Sequence, residues 1–153
     1  MEKHNVYHLG GNYRMKRILF TGKGGDGVQF AAKLFAKTMV NNGFNATLMP
    51  VYGPEARGAT SNSVVIIDTE EIVTPICNEY DILVAFNEED RLKNDHITYQ
   101  VYSSKAKSNV EHVMWLLDTF KVNPKLAIPI LKTMISEKYQ DRLDEGIEIL
   151  NNF

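Results

Sequence analysis

Apolar positions follow two regimes along the chain. As far as Tyr102 they come mostly in short blocks broken by glycine or polar turns, residues 28–41 excepted; from Val110 on they recur every three or four positions. Arg17-Ile18-Leu19-Phe20-Thr21 predicts a first strand, and Gly22-Lys23-Gly24-Gly25-Asp26-Gly27 a turn. Val28, Ala31, Ala32, Phe35 and Met39 then keep helical spacing, which predicts a helix over 28–41 with Gly43 as its C-cap. Residues 46–49, just before Pro50, predict a second strand, so the unit has the size of a right-handed crossover in a parallel sheet.

Residues 63–68 read as a strand, with Ile72-Val73 as a short hairpin arm, and residues 81–86 as the clearest buried strand. A short helix over 88–93 and a strand over 97–102 follow. Val110, Val113, Met114, Leu117 and Phe120 form one helical stripe. Asn123-Pro124 supplies an N-cap and first-turn proline for another helix, kinked or restarted at Pro129. Tyr139, Leu143, Ile147 and Leu150 mark a last amphipathic helix. This order predicts a three-layer α/β/α domain over 15–153 with a mostly parallel sheet and a helical C-terminal third. Residues 1–14 read as a disordered N-terminal extension.

At 153 residues and 44% apolar content, one domain buries roughly 68–70% of its unfolded surface, enough to hold together without disulfides or structural metal. The net charge of −2 gives no reason to expect nucleic acid or an acidic membrane as partner. Its distribution is uneven. Residues 1–43 carry seven basic and two acidic side chains, whereas 44–100 carry three basic and ten acidic. Cys77 is the only cysteine, so neither an internal disulfide nor a cysteine-ligated cluster is possible within the chain. No apolar run approaches the roughly 20 residues of a membrane helix. Residues 1–14 lack the apolar core of a secretory signal, which makes the cytoplasm the expected location. His4 and His8 have the i, i+4 spacing of a helical metal pair, but they lie in that glycine-bearing tail.

Gly22-x-Gly24-x-x-Gly27 between a strand and a helix has the spacing of a dinucleotide-phosphate turn. The acidic residue expected about 20 positions later, for a ribose hydroxyl, is missing, because the second strand ends in Leu48-Met49-Pro50. Asp26, read as part of the first helical turn, complements the helix dipole by about 0.3–1 kcal/mol and occupies the place of an anionic ligand. The alternative is a purely structural turn. No GK[ST] follows the glycines, which excludes a P-loop. Gly25-Asp26-Gly27 with Asn41-Asn42 is too closely spaced for a thiamine-diphosphate motif. The densest polar segment is the loop holding Tyr52, Gly53, Glu55, Arg57, Gly58, Thr60 and Ser61. Arg57 offers a bidentate fork to phosphate or carboxylate, and Thr60 and Ser61 offer hydroxyls. Equally, Glu55 and Arg57 can pair with each other. His96 and His112 stand alone, so no catalytic triad or carboxylate pair can be built from spacing.

ILFTGKGGDGVQFAAKLFA, then NGFNATLMPVYGPEARGATSNSVVIID, then TPI and EYDILVAFNEE resemble the gamma subunit or domain of the 2-oxoacid:ferredoxin oxidoreductases in order and spacing over residues 17–90. In that family the turn reads GxGGQG and the loop YGPExRGG; here Asp26 replaces the usual Gln and Ala59 a common second Gly. The resemblance implies a chain that is not catalytic alone and binds no cofactor by itself. Its complex would use thiamine diphosphate, iron–sulfur clusters and CoA to convert a 2-oxoacid to an acyl-CoA. The implied partners are thiamine-binding and ferredoxin-type subunits, and ferredoxin. Gly22, Gly24, Gly25, Gly27, Tyr52, Gly53, Glu55, Arg57, Gly58, Thr60 and Ser61 would then face CoA or a partner's active site. A stand-alone Rossmann-like nucleotide-binding protein, and a non-catalytic interaction module derived from the gamma subunit, are the competing readings.

Overall fold

Alternation gives β1 (Lys16–Lys23) two buried faces: Ile18 and Phe20 point to one side of the sheet and Leu19 to the other. A computed structural model describes residues 15–51, 60–72, 79–136 and 139–152. The tail 1–14 with its His4/His8 pair, Cys77, and the loop residues Tyr52, Gly53, Glu55, Arg57 and Gly58 lie outside them. After β1 come α1 (Val28–Asn41), β2 (Asn45–Val51), β3 (Thr60–Asp68), β4 (Ile82–Ala85), α2 (Glu88–Lys93), β5 (Tyr99–Val101), α3 (Asn109–Thr119), α4 (Ala127–Met134) and α5 (Gln140–Asn151).

α1 spans the predicted residues and ends as its sequence dictates. Gly43 takes φ 93°, its N–H reaches the Val40 carbonyl at 3.0 Å and that of Phe44 reaches Met39 at 3.0 Å, a Schellman ending. The Asn41-Asn42 pair is thereby accounted for: Asn42 caps the helix, donating to the Thr38 and Asn123 carbonyls and accepting from the Asn123 N–H.

The sheet order is β2-β3-β1-β4-β5. β1/β4 and β4/β5 are parallel, but β1/β3 and β2/β3 are antiparallel, so the mostly parallel sheet expected from sequence is in fact mixed. The cause is β3. Only eight residues link β2 to β3, fewer than a parallel crossover needs, so β3 returns beside β2 in the opposite sense and inserts between β2 and β1. The β1-α1-β2 crossover exists, with β3 occupying the place between its two strands.

Val28, Leu34, Phe35 and Met39 of α1, together with Val113, Leu116 and Leu117 of α3, Leu131 of α4 and Leu150 of α5, bury one face of the sheet. The other face, centred on Leu19, Val64, Ile66 and Leu83, has a thinner cover of Ile72, Tyr80, Ile97 and Tyr102. α2 flanks it there, with Arg91 5.5 Å above the Tyr102 ring and Leu92 exposed. Ile72 lies in coil; Val73, the other residue of the expected hairpin arm, is outside the described residues. After Asn123, a 3-10 turn over Pro124–Leu126 precedes α4, so the break falls at Ala127 rather than at Pro129. Pro129 stands in the first turn of α4, where its missing N–H breaks no helical hydrogen bond.

Candidate functional site

β1 and β4 are parallel neighbours whose chains leave in opposite directions across the sheet, β1 through α1 towards β2 and β4 through α2 towards β5. Their carboxyl ends therefore enclose the topological switch point at which open α/β sheets place ligands. The glycine turn lies there, and its glycines differ in what requires them. A Cβ on Gly22 would come within 2.8 Å of Val28 Cγ2 and 3.0 Å of Asp26 Oδ2. Gly25 (φ 96°) holds the third position of a turn closed by Asp26 N–H to the Lys23 carbonyl at 3.0 Å, a place where positive φ is needed. Gly27 (φ 78°) is the N-cap of α1, and a Cβ there would strike Asn109 Nδ2. Gly24 meets neither condition: it is exposed, its φ is unremarkable and a Cβ would enter open space.

Asp26 does not sit in the first turn of α1, as the sequence suggested; it precedes the N-cap, and that first turn holds no acidic residue. Its Oδ2 accepts from the Lys23 N–H at 2.8 Å and from Asn87 Nδ2 at 3.1 Å, so the carboxylate closes the turn. Asn87 is the N-cap of α2, its side chain accepting from the Asp90 N–H at 2.8 Å, while its Nδ2 also donates to Asp90 Oδ2 at 2.7 Å. Asp90 is fully buried. Its Oδ1 accepts from Thr60 Oγ1 at 3.1 Å and lies 3.8 Å from Lys23 Nζ, which also reaches Glu89 at 3.2 Å. Hydrogen bonds from Lys23 and Lys93 hold the Glu89 carboxyl below the usual range.

Because β3 runs antiparallel to β1, Gly22 lies opposite Ser61 and Lys23 opposite Thr60. The glycine turn and the start of β3 thus come together across the β1/β3 pairing; β2, whose carboxyl end was expected beside that of β1, is not its neighbour. The Thr60 hydroxyl proton is committed to Asp90, so Thr60 is a bracing residue and not the free donor expected. Ser61 Oγ accepts from Gln29 Nε2 at 3.3 Å, which also donates to the Asn62 carbonyl at 3.0 Å.

On the helical side the turn borders a cleft of about 570 Å³ lined by Gly25, Gly27, Lys107, Ser108, Tyr139 and Arg142, among others. Two helix N-termini meet here. α1 has no side-chain cap, and α3 is capped by Ser108, whose hydroxyl accepts from the Val110 N–H at 3.2 Å. Asn109 joins them by donating to the Asp26 and Gly27 carbonyls at 3.2 and 3.3 Å. Tyr139 is exposed outside α5 and lies beneath Arg142, whose guanidinium carbon is 5.1 Å from the ring centre. His112, 3% exposed, sits edge-on to Phe86 and Trp115, and neither ring nitrogen has a partner among the described residues. Burial lowers its pKa to about 4, with the Ser108 backbone opposing the shift.

Sequence reasoning missed Lys23, Asn87, Asp90 and Asn109 as members of this site. Asn-Glu-Glu-Asp after a strand is a legible helix start, but nothing local shows that its N-cap reaches a turn 61 residues earlier.

The family model for pyruvate ferredoxin/flavodoxin oxidoreductase matches residues 17–108. Among curated relatives, the 2-oxoglutarate synthase subunit KorC of Archaeoglobus fulgidus is 29% identical over 126 residues, covering 81% of this chain and 62% of its own. The ketoisovalerate oxidoreductase subunit VorA of Methanothermobacter marburgensis is 37% identical over 76 residues, or 50% of this chain and 16% of that one. The chain thus spans less than two thirds of either relative. In fold it is similar to the gamma subunit of a keto/oxoacid ferredoxin oxidoreductase from Geobacter sulfurreducens (TM-score 0.67, 18% identity, 89% of this chain and 94% of that one). It is similar too to a 2-oxoglutarate:ferredoxin oxidoreductase from Magnetococcus marinus solved with 2-oxoglutarate, coenzyme A and succinyl-CoA bound (TM-score 0.73, 15% identity, 92% and 30%). With the matched segment running from the first strand through the glycine turn to the entrance of α3, the chain belongs to the pyruvate ferredoxin/flavodoxin oxidoreductase family.

Proposed function

We propose that this chain serves as a gamma-type subunit of a cytoplasmic 2-oxoacid:ferredoxin oxidoreductase, contributing to the CoA-dependent oxidative decarboxylation of a 2-oxoacid to an acyl-CoA. Thiamine diphosphate and the iron–sulfur clusters are carried by partner subunits, and ferredoxin takes the electrons. One cysteine in 153 residues cannot ligate a cluster, which fits that division of labour.

The observation that carries the reading is Gly24. The fold makes no demand for glycine at an exposed turn position with free space and ordinary φ. A glycine there is instead explained by a ligand that approaches the turn leading into the N-terminus of α1, which has no side-chain cap and where phosphate is favoured. Gly25, Gly27 and Ser61 extend this surface, with Gly22 buried behind it and Thr60 acting through Asp90. Arg57 contacts a CoA phosphate or substrate carboxylate, supported by Tyr52, Gly53, Glu55 and Gly58 of the same loop.

Native affinity purification with mass spectrometry, iron and thiamine analysis tests the assignment. Co-purifying thiamine-binding and ferredoxin-type subunits are expected; a lone, iron-free chain that binds NAD or ATP at micromolar concentration would replace it with the stand-alone nucleotide-binding reading. In the assembled complex, Arg57→Ala should raise the KM for CoA, and unchanged turnover and CoA dependence would remove Arg57 from the site.

A further inference from the structure

We propose that Asn87 is the positioning residue of this site: one side-chain amide braces the glycine turn against Asp90 of α2, and through it against the start of β3 at Thr60. Its relevance to catalysis rests on the reading above, in which the turn contacts CoA; the brace itself stands on geometry alone.

Every hydrogen-bonding group of the Asn87 side chain is engaged. Nδ2 donates to Asp26 Oδ2 at 3.1 Å and to Asp90 Oδ2 at 2.7 Å, and the amide oxygen accepts from the Asp90 N–H at 2.8 Å. Asp26 belongs to the glycine turn and Asp90 to α2. Asp26 closes the turn through Lys23 N–H, and fully buried Asp90 holds Thr60 Oγ1 at the first residue of β3. Lys23 Nζ and Lys93 Nζ both approach Asp90 Oδ1, at 3.8 and 3.9 Å. An amide suits this position because it is neutral and presents two protons on one nitrogen, so it can satisfy two anions at once without adding charge. A serine could cap α2 but could not reach both, and an aspartate would place a third carboxylate between two others.

Asn87→Asp provides the test, since it keeps the N-cap acceptor and the side-chain size while removing both donated protons. In the full chain, amide hydrogen exchange at Lys23 is expected to speed up at least tenfold, with α2 still folded. Asn87→Ser keeps a cap on α2 without adding a charge and is too short to reach Asp26, so it should speed Lys23 exchange to a similar degree. A Lys23 exchange rate unchanged in Asn87→Ser overturns the brace, an effect confined to Asn87→Asp being charge repulsion alone. In the assembled complex, Asn87→Ser should raise the KM for CoA about tenfold at unchanged kcat. Altered exchange with an unaltered KM would leave the brace standing and refute the ligand reading of the turn.

Discussion

Gly27 and Gly24 stand three residues apart in one turn, and alanine should affect them in opposite ways. At Gly27 a Cβ meets two obstacles. The backbone is left-handed at φ 78°, a conformation that costs a non-glycine residue about 1–2 kcal/mol. The new atom would also lie 2.2 Å from Asn109 Nδ2, so Asn109 must swing away from the Asp26 and Gly27 carbonyls. Losing those half-buried bonds costs a further 1 kcal/mol or so. Gly27→Ala should therefore destabilise the domain by about 2–3 kcal/mol, a large part of the stability of an ordinary domain. At Gly24 neither obstacle exists, and alanine should leave stability within about 0.5 kcal/mol while raising the KM for CoA in the assembled complex. Urea unfolding of both variants, followed by circular dichroism, measures the contrast. A Gly27→Ala protein as stable as wild type would refute the role given to Asn109 and to the left-handed N-cap; a Gly24→Ala protein that is destabilised would show that the turn has a structural use for that glycine.

His112 is expected to make stability depend on pH. With its folded pKa lowered from 6.5 to about 4, the unfolded chain binds a proton that the folded chain refuses. The penalty is absent above pH 6.5 and grows as pH falls towards 4, reaching about 3 kcal/mol. Urea midpoints of wild type and His112→Leu at pH 7.5, 5.5 and 4.5 should diverge by that trend, the carboxylates titrating alike in both; parallel curves would contradict it. Gly146→Ala should cost about 1–3 kcal/mol, because its Cβ would lie 2.6 Å from Leu131 Cδ2 where α5 meets α4, with thermal unfolding as the check. A cost near zero would show that Leu131 moves aside.

The legible parts of this fold were those fixed by neighbours in sequence. α1 could be bounded to the residue because its apolar spacing, the turn before it and Gly43 after it are all local. Although its N-cap, Asn87, was not singled out, the short helix over 88–93 was also placed correctly. Strand direction was not, since a period of two looks the same read from either end; the reversal of β3 shows only in the brevity of its link to β2. Pro129 was misplaced as a break because its cost depends on where the helix begins, and the 3-10 turn moves that start to Ala127. Within the site, the glycine turn was legible from sequence, but its register against Ser61 depends on the reversal of β3. The work assigned to Asp26 was not legible there: a carboxylate beside a helix start suggests a dipole contact, whereas its partners are one backbone N–H three residues back and a side-chain amide just past the end of the neighbouring strand β4.

The insertion of β3 also bears on how the chain reaches its fold. β1 and β2 share no hydrogen bonds, so a ribosome-bound chain ending at Val51 would have a strand, a helix and a second strand with nothing to zip together. β3 supplies both ladders at once, pairing with β2 by a short chain reversal and with β1 across some forty residues. Local closure before distant pairing is the entropically cheaper order. Loop-closure entropy thus favours pairing β2 with β3 before β3 meets β1, and the site at the end of β1 needs that second pairing to take shape.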